Sequence, residues 1–246
     1  MNPARISIAI ATGNRHKVDE IQSILGPRVD CRSLGDFPMA PTPVENAETF
    51  AGNAGIKAIC LSHWLVENLP WSERPSFVLA DDSGLEVRTL AWAPGVHSAR
   101  FAALDDGRVG NASDGENNAK LIRLLATVPA NQRQARFRCV LAWTPVATVP
   151  TGADPATWLR AQTQHFEGRC EGRIAEKGSG ARGFGYDPLF IPEGFGISFA
   201  ELGEAVKNRI SHRARALTQL HACVAFTGVC EDAGSLETLS AKTLRQ

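Results

Sequence analysis

The chain is short of several things, and each shortage removes a class of function. It has no run of about 20 apolar residues, so nothing reads as a membrane span. Its formal net charge is zero, so no overall field would gather DNA, RNA or an anionic membrane, and any phosphate binding must be local. The six cysteines stand scattered at 31, 60, 139, 170, 223 and 230, with no C-x-x-C. That scatter argues against a zinc site and reads as reduced, mostly buried thiols of a cytoplasmic protein. The first residues, Met1-Asn2-Pro3-Ala4-Arg5, lack the long apolar core and cleavage site of a signal peptide. No G-x-x-x-x-G-K-[ST] occurs, so the P-loop is excluded, and no repeat is present.

Lysine is scarce, at six against twenty arginines. Where only positive charge is needed, this composition supplies arginine. Each lysine is therefore a mild clue to a compact ammonium where a guanidinium would not fit, with chance placement as the alternative. Tyrosine is scarcer still. The single one lies in Gly183-Phe184-Gly185-Tyr186-Asp187-Pro188, and Lys207-Asn208-Arg209-Ile210-Ser211-His212-Arg213 follows about twenty residues on. Together the two segments suit a flat ring carrying phosphates.

What remains is ordinary for a globular protein: 246 residues, 43% hydrophobic and 21% charged, enough for one large domain or two small ones. A buried strand over 7–12 is broken by Gly13-Asn14, and a helix follows with Val18, Ile21, Ile24 and Leu25 on one face. The stretch 37–43 reads as loop, 49–65 as helix and 77–80 as a short strand. Asp82-Ser83-Gly84 reads as a turn before strand resumes over 85–89. A helix over 117–125, strands over 135–144 and 162–175, and a helix over 211–224 complete the pattern. Residues 148–158, rich in Pro, Gly, Thr and Ala, read as a mobile insertion. Strands and helices alternate, while several strands follow one another without a helix. One α/β domain with a mixed sheet is therefore expected.

Four segments carry chemistry. Thr12, Gly13, Asn14, Arg15, His16 and Lys17 sit where a strand hands over to a helix, a turn that offers backbone N–H groups and a helix dipole to an anion. The alternative is a plain N-cap by Asn14. Asp81-Asp82-Ser83-Gly84 follows a buried strand. Adjacent side chains point opposite ways, so one carboxylate should face a site while the other holds the turn or a cation. Glu45 is a candidate second carboxylate, and two oxygen ligands plus substrate phosphates suit Mg²⁺. A tight Asx turn is the alternative. Asn53 and Lys57 share a helix face, which by itself reads as solvated. Phe184 and Tyr186 stack on a base or pack in the core, Asp187 accepts from a purine N–H, and Lys207, His212 and Arg213 add donors. Ser211 as an N-cap would put His212 and Arg213 at a helix start, against the dipole, and such a breach is weak evidence for function.

With these motifs in hand, the chain resembles the Ham1/RdgB-like inosine triphosphate pyrophosphatases. Six segments match in order: Ala11-Thr12-Gly13-Asn14-x-x-Lys17, Thr49-Phe50-x-x-Asn53-Ala54-x-x-Lys57-Ala58, Ala80 through Leu85, Ala93 through Arg100, Gly183 through Pro188, and Lys207 through Arg213. The resemblance implies a single elongated two-lobed α/β domain around a long mixed β-sheet with flanking helices and the active site in a central cleft. That domain would span 1–225, with an insertion near 145–161 and a tail over 226–246. It implies Mg²⁺-dependent hydrolysis of ITP, dITP, XTP or dXTP to monophosphate and pyrophosphate, by a cytoplasmic homodimer that binds neither nucleic acid nor membrane. It assigns Glu45 and Asp82 to Mg²⁺, Asp82 to the proton of the attacking water and Lys57 to charge neutralisation. Substrate contacts fall to residues 12–17, Asn53, Ser83, Phe184, Gly185, Tyr186, Asp187, Lys207, His212 and Arg213. Selection at the purine 6-position is expected from backbone amides of 183–187 or from Arg213. The chain departs from the family in having Gly52 where Glu is common, and the match at Glu45 is loose because the family usually has Gly near Ala47. A Maf-like pyrophosphatase, a nucleotide-binding module with decayed catalysis, and a structural α/β protein remain as alternatives.

Overall fold

The structure is a computed structural model, and its described residues are 6–223. The tail expected over 226–246 and Cys230 lie outside the described residues.

The first strand, β1 (Ile6–Ile10), leads through helix α1 (Arg15–Leu25) to the parallel strand β2 (Val29–Ser33). Helix α2 (Phe50–Asn68) then brings the chain to β3 (Phe77–Val87), which pairs parallel to β1 on its other side. From β3 onward the sheet is antiparallel. Strand β4 (Gln134–Pro145) pairs with β3 along its whole length, followed by β5 (Gln164–Ile174) and the short β6 (Phe190–Pro192). The six strands lie in the order β2-β1-β3-β4-β5-β6, a mixed sheet as expected. Helix α3 (Asp114–Leu124) begins at a Ser113–Glu116 capping box. Three helices close the described chain: α5 (Phe199–Leu202), α6 (Glu204–Ile210) and α7 (His212–Cys223). Helix α4 (Pro155–Gln162) lies between β4 and β5. β2, β6, α5 and α6 are absent from the sequence reading.

Two expectations are corrected. There is no turn at Asp82-Ser83-Gly84: β3 runs unbroken, with Asp82 opposite Val140, Ser83 opposite Cys139 and Gly84 opposite Arg138. The polar residues are held in strand by a ladder that the local sequence cannot reveal. The 148–158 stretch is in part a helix. Asp154 caps it by accepting from Thr157 N, Pro155 opens it, and Leu159 is buried. Asp-Pro is a helix start, and composition alone concealed it.

The long strands carry two apolar clusters end to end. Leu79, Cys139, Leu141 and Trp143 pack with Ile8, Ile10, Val18, Ile21, Leu217 and Leu220. Leu85, Val87, Ala135 and Phe137 pack with Leu121, Tyr186, Phe190 and Phe199. Alternation puts Val78, Ala80 and Ala142 on the opposite face against Ala54, Ala58, Leu61 and Leu65 of α2. Asp81, Asp82, Ser83 and Gly84 occupy the stretch of β3 between the two clusters. This is where a single sheet supporting two lobes leaves a polar seam.

Two glycines allow the close approaches that shape this seam. A Cβ at Gly168 would stand 2.0 Å from His212 O and 2.5 Å from Ala216 N, so α7 rests directly on the β5 backbone. A Cβ at Gly84 would stand 2.4 Å from both Gly95 O and Ser98 Oγ. The Gly95–Arg100 segment is thereby seated on β3, where Ser98 Oγ accepts from Leu85 N and donates to Gly95 O.

The five described cysteines, Cys31, Cys60, Cys139, Cys170 and Cys223, are free thiols; Cys139 and Cys170 are buried and Cys223 is exposed. Among the described residues, no helix is long and apolar enough to cross a membrane.

Candidate active site

Two cavities meet at the seam. One, of about 1340 Å³ including its open mouth, is lined by Thr12, Gly13, Asn14, Lys17, Glu45, Lys57, Asp82, Ser83, Arg100 and Asn111, among others. The other, of about 620 Å³, has walls of Phe137, Phe184, Tyr186 and His212 together with Asp114, Asp187, Lys207 and Arg213. Asn14, Lys17, Ser83 and Ala99 line both. A polar chamber rich in cations and carboxylates thus joins an aromatic one.

The strand-to-helix turn is both of the things its sequence allows. Asn14 caps α1 by accepting from Lys17 N, and Thr12 Oγ1 accepts from Asn14 N. The capped first turn faces the polar chamber with Gly13 exposed. Arg15 lines neither chamber. His16 stacks on Phe184 at 5.2 Å and lines a third cavity behind it.

Alternation sends the two aspartates to opposite faces. Asp81 is fully buried and accepts from Lys17 Nζ at 2.5 Å and Arg213 Nε at 2.9 Å, with the Cys139 thiol donating at 3.0 Å. Burial pushes its carboxyl up, but Arg213 and Lys17 more than offset this and hold it well below the usual range. Asp82 faces the polar chamber. Lys57 Nζ donates to Asp82 Oδ1 at 3.1 Å and to Glu45 Oε2 at 2.9 Å, so one ammonium joins the two carboxylates. Burial raises the Asp82 carboxyl against the pull of Lys57 and Lys17. Burial works against the Lys57 charge, but Asp82 and Glu45 outweigh it and keep Lys57 protonated.

Asp82 Oδ2 is buried and has no hydrogen-bond partner. A buried carboxylate oxygen without a donor is costly unless something positive meets it. With Glu45 beside it, the donor set is the hard-oxygen pair that Mg²⁺ prefers, so the residues fit that ion. Asn53 lies outside both chambers. It is buried and accepts from Ala47 N at 2.9 Å, which holds the loop that carries Glu45.

Gly52 sits in the same region. A Cβ there would be 2.5 Å from the Ala47 Cβ. The methyl of Ala47 occupies the space a side chain at 52 would need.

In the aromatic chamber, the 183–187 loop is more committed to itself than its sequence suggests. Phe184 N donates to Asp187 Oδ2, Gly185 N to Asp114 Oδ2 and Asp187 N to Phe184 O. These three amides of the loop are therefore engaged within the protein. Tyr186 is buried in the core with its hydroxyl donating to Ser98 O at 2.9 Å. Asp187 is also satisfied, accepting from Lys207 Nζ at 2.6 Å. Phe184 alone of the aromatic pair is partly open, with Lys207 Nζ 4.3 Å from its ring centre.

Arg213 is fully buried. Besides Asp81 it donates to Ser83 Oγ at 3.1 Å and to Glu20 Oε2. Lys207 donates to Glu20 Oε1 at 2.6 Å. Glu20, one turn beyond Lys17 on α1, thus anchors both cations. Its pKa is lowered, because Arg213 and Lys207 outweigh its burial. The breach of the dipole rule at the start of α7 is resolved this way: Ser211 Oγ caps Ala214 N, Arg213 has two carboxylates, and His212 is neutral.

His212 is buried, stacked on Phe137 at 4.8 Å and 12°, with Nδ1 unpartnered. Burial, then Arg213 and Lys207, push its pKa well below 6.5. Its effect on stability follows from linkage. The unfolded chain gains a proton below pH 6.5 that the folded chain refuses, so stability present above 6.5 drains away as pH falls toward the folded value. The slope from this group approaches ~1.4 kcal/mol per pH unit. Urea unfolding at a series of pH values between about 7 and 5 should show it, and His212→Phe, which keeps the stack, should flatten it. An unchanged slope in that variant refutes the assignment.

Sequence reasoning missed Glu20, Ser98, Arg100, Asp114, Asn117 and Phe137. Ser98 and Arg100 lie in the matched 93–100 segment. The others carry no local signal, because only the packing of α1, α3 and β4 brings them to the seam.

Comparison with known proteins extends the geometry. The model of the Ham1 family matches residues 8–223. A dITP/XTP pyrophosphatase of Geobacillus kaustophilus is 45% identical over 87% of this chain and 91% of its own length. Another dITP/XTP pyrophosphatase, from Opitutus terrae, is 42% identical over 87% of this chain and 97% of its own. The structure of a HAM1 protein from Coxiella burnetii superposes with a TM-score of 0.69 at 32% identity, covering 89% of this chain and 98% of that one.

Proposed function

The chain belongs to the Ham1 family, and from that premise we propose how its two chambers divide one reaction, the hydrolysis of a nucleoside triphosphate to monophosphate and pyrophosphate. The protein is a hydrolase of non-canonical purine nucleoside triphosphates of the dITP and XTP kind. The observation that carries the division is the seam itself: Asn14, Lys17 and Ser83 line both the aromatic and the polar chamber. A purine in the former would lead its phosphates into the latter.

Phe184 offers the base an aromatic face, and neutral His212 and the buried Lys207 line its edge. The capped turn at 12–17 and Arg100 receive phosphate oxygens. Glu45 and Asp82 would hold Mg²⁺, which when bound would supply neutralisation of the charge on pyrophosphate. Asp82 orients the attacking water and takes its proton as the oxygen bonds to the α-phosphorus. The bond from that phosphorus to pyrophosphate breaks, and the leaving oxygen keeps the electron pair. Lys57 holds Asp82 and Glu45 in place and offsets charge beside the phosphates. The working form is a cytoplasmic homodimer.

The test is product analysis with ITP, with ATP and GTP in parallel and with Mg²⁺ present or chelated. Monophosphate plus pyrophosphate from ITP, only with Mg²⁺ and with little from ATP or GTP, is the expected outcome. Diphosphate plus phosphate would place the attack elsewhere. Tight binding of ITP without turnover would point to a binding module in which the Gly52 exchange has removed catalysis.

A further inference from the structure

Helix α3 is absent from the chemistry above, yet its first turns hold the aromatic chamber together. Asp114 Oδ2 accepts from Gly185 N at 2.6 Å, and Asn118 Nδ2 donates to Gly185 O at 3.0 Å. Both polar groups of Gly185 are therefore gripped from one helix. Between them in sequence, Asn117 accepts from Ala102 N at 2.8 Å and donates to Ala99 O at 3.2 Å, fixing the segment that carries Ala99. Asp114 and Asn117 both line the chamber.

The chamber's carboxylates are not equivalent. Asp187 is neutralised by Lys207. Asp114 has no cation partner among the described residues, and its remaining acceptor capacity lies at the chamber wall. Its charge reaches inward: burial first and then Asp114 raise the Tyr186 phenol. A 6-oxopurine presents an N1–H donor, whereas adenine presents a bare N1 lone pair. A carboxylate welcomes the first and repels the second. Three amides of the 183–187 loop are engaged inside the protein, and Asp114 adds an acceptor at the same chamber wall.

We propose that Asp114 is a specificity-determining residue that accepts the N1–H of a 6-oxopurine while its other oxygen fixes Gly185. This rests on reading the aromatic chamber as the base site. Because guanine shares N1–H, Asp114 separates oxopurines from adenine and leaves guanine to other contacts.

The experiment is the ratio of kcat/KM for ITP to that for ATP, read by pyrophosphate release, with GTP in parallel. In Asp114→Asn the amide oxygen still accepts from Gly185 N, but its NH₂ now faces N1. The ITP-to-ATP ratio should fall about tenfold or more, since a site shaped for a substrate N–H loses that preference when its acceptor is replaced. GTP should fall with ITP. Asp114→Ala, the second variant, should lose ITP turnover without any gain on ATP. Asn118→Ala loosens the grip on Gly185 but keeps the acceptor, so KM should rise for all three nucleotides alike. A ratio within about threefold of the starting protein in both Asp114 variants overturns the proposal. So does a drop in Asn118→Ala as large as that in Asp114→Asn, which would assign discrimination to loop position. Failure of the unaltered protein to release pyrophosphate from ITP would instead defeat the proposed function, a separate result.

Discussion

Asp82→Asn should lower kcat by about 10²–10⁴-fold, the range lost with a positioned acid–base group, while the protein stays folded. Asparagine keeps the volume and an oxygen for Lys57. It removes the charge on the oxygen that is buried without a donor. Burial already raises this carboxyl, so the folded state has little to lose from a neutral group there. Thermal unfolding should therefore show an equal or slightly higher midpoint, and steady-state pyrophosphate release should show the collapse in rate. A folded Asn variant that keeps most of its activity would sink the role given to Asp82.

Arg213→Met should do the reverse and strike stability first. The guanidinium is fully buried and serves Asp81, Glu20 and Ser83 at once. Methionine fills much of the volume but leaves two buried carboxylates short of a partner. Removing one side of a buried pair costs about 3–5 kcal/mol. At ~2–4 °C per kcal/mol for a chain of this size, the midpoint should drop by roughly 6–20 °C. Lysine would not restore it, because a single ammonium cannot reproduce a planar fork. Urea unfolding measures the loss directly. A cost below about 1 kcal/mol would mean that Lys17 and Lys207 suffice for Asp81 and Glu20, and that Arg213 is redundant in the network.

These two residues show what can and cannot be read from a chain. Asp82 announces itself, because two acids after a buried strand are chemically unusual, and alternation already predicts that they face opposite ways. The cost of burying Arg213 has no such signal. Its partners lie 132 and 193 residues away in sequence, and only the seating of α7 on Gly168 brings them within reach. The same distance explains Asp187 and Tyr186. Read locally they are ligand groups; in the fold they line the aromatic chamber with Lys207 and Ser98 as their polar partners. Helix α4 is the opposite case, since its Asp-Pro start is local information that composition obscured.

The alternation of strands and helices, the capped turn at 12–17, the opposed aspartates of β3 and the family to which the chain belongs were all legible in the sequence. Each of these depends on near neighbours or on motifs in fixed order. It took the folded chain to show that β3 passes straight through its polar residues, that one ammonium joins Asp82 to Glu45, that amides of the 183–187 loop are held by Asp187, Asp114 and Phe184, and that Asp114 lines the aromatic chamber without a cation partner among the described residues. These outcomes depend on which donors and acceptors remain after distant segments have paired, and that remainder exists only once the chain has folded.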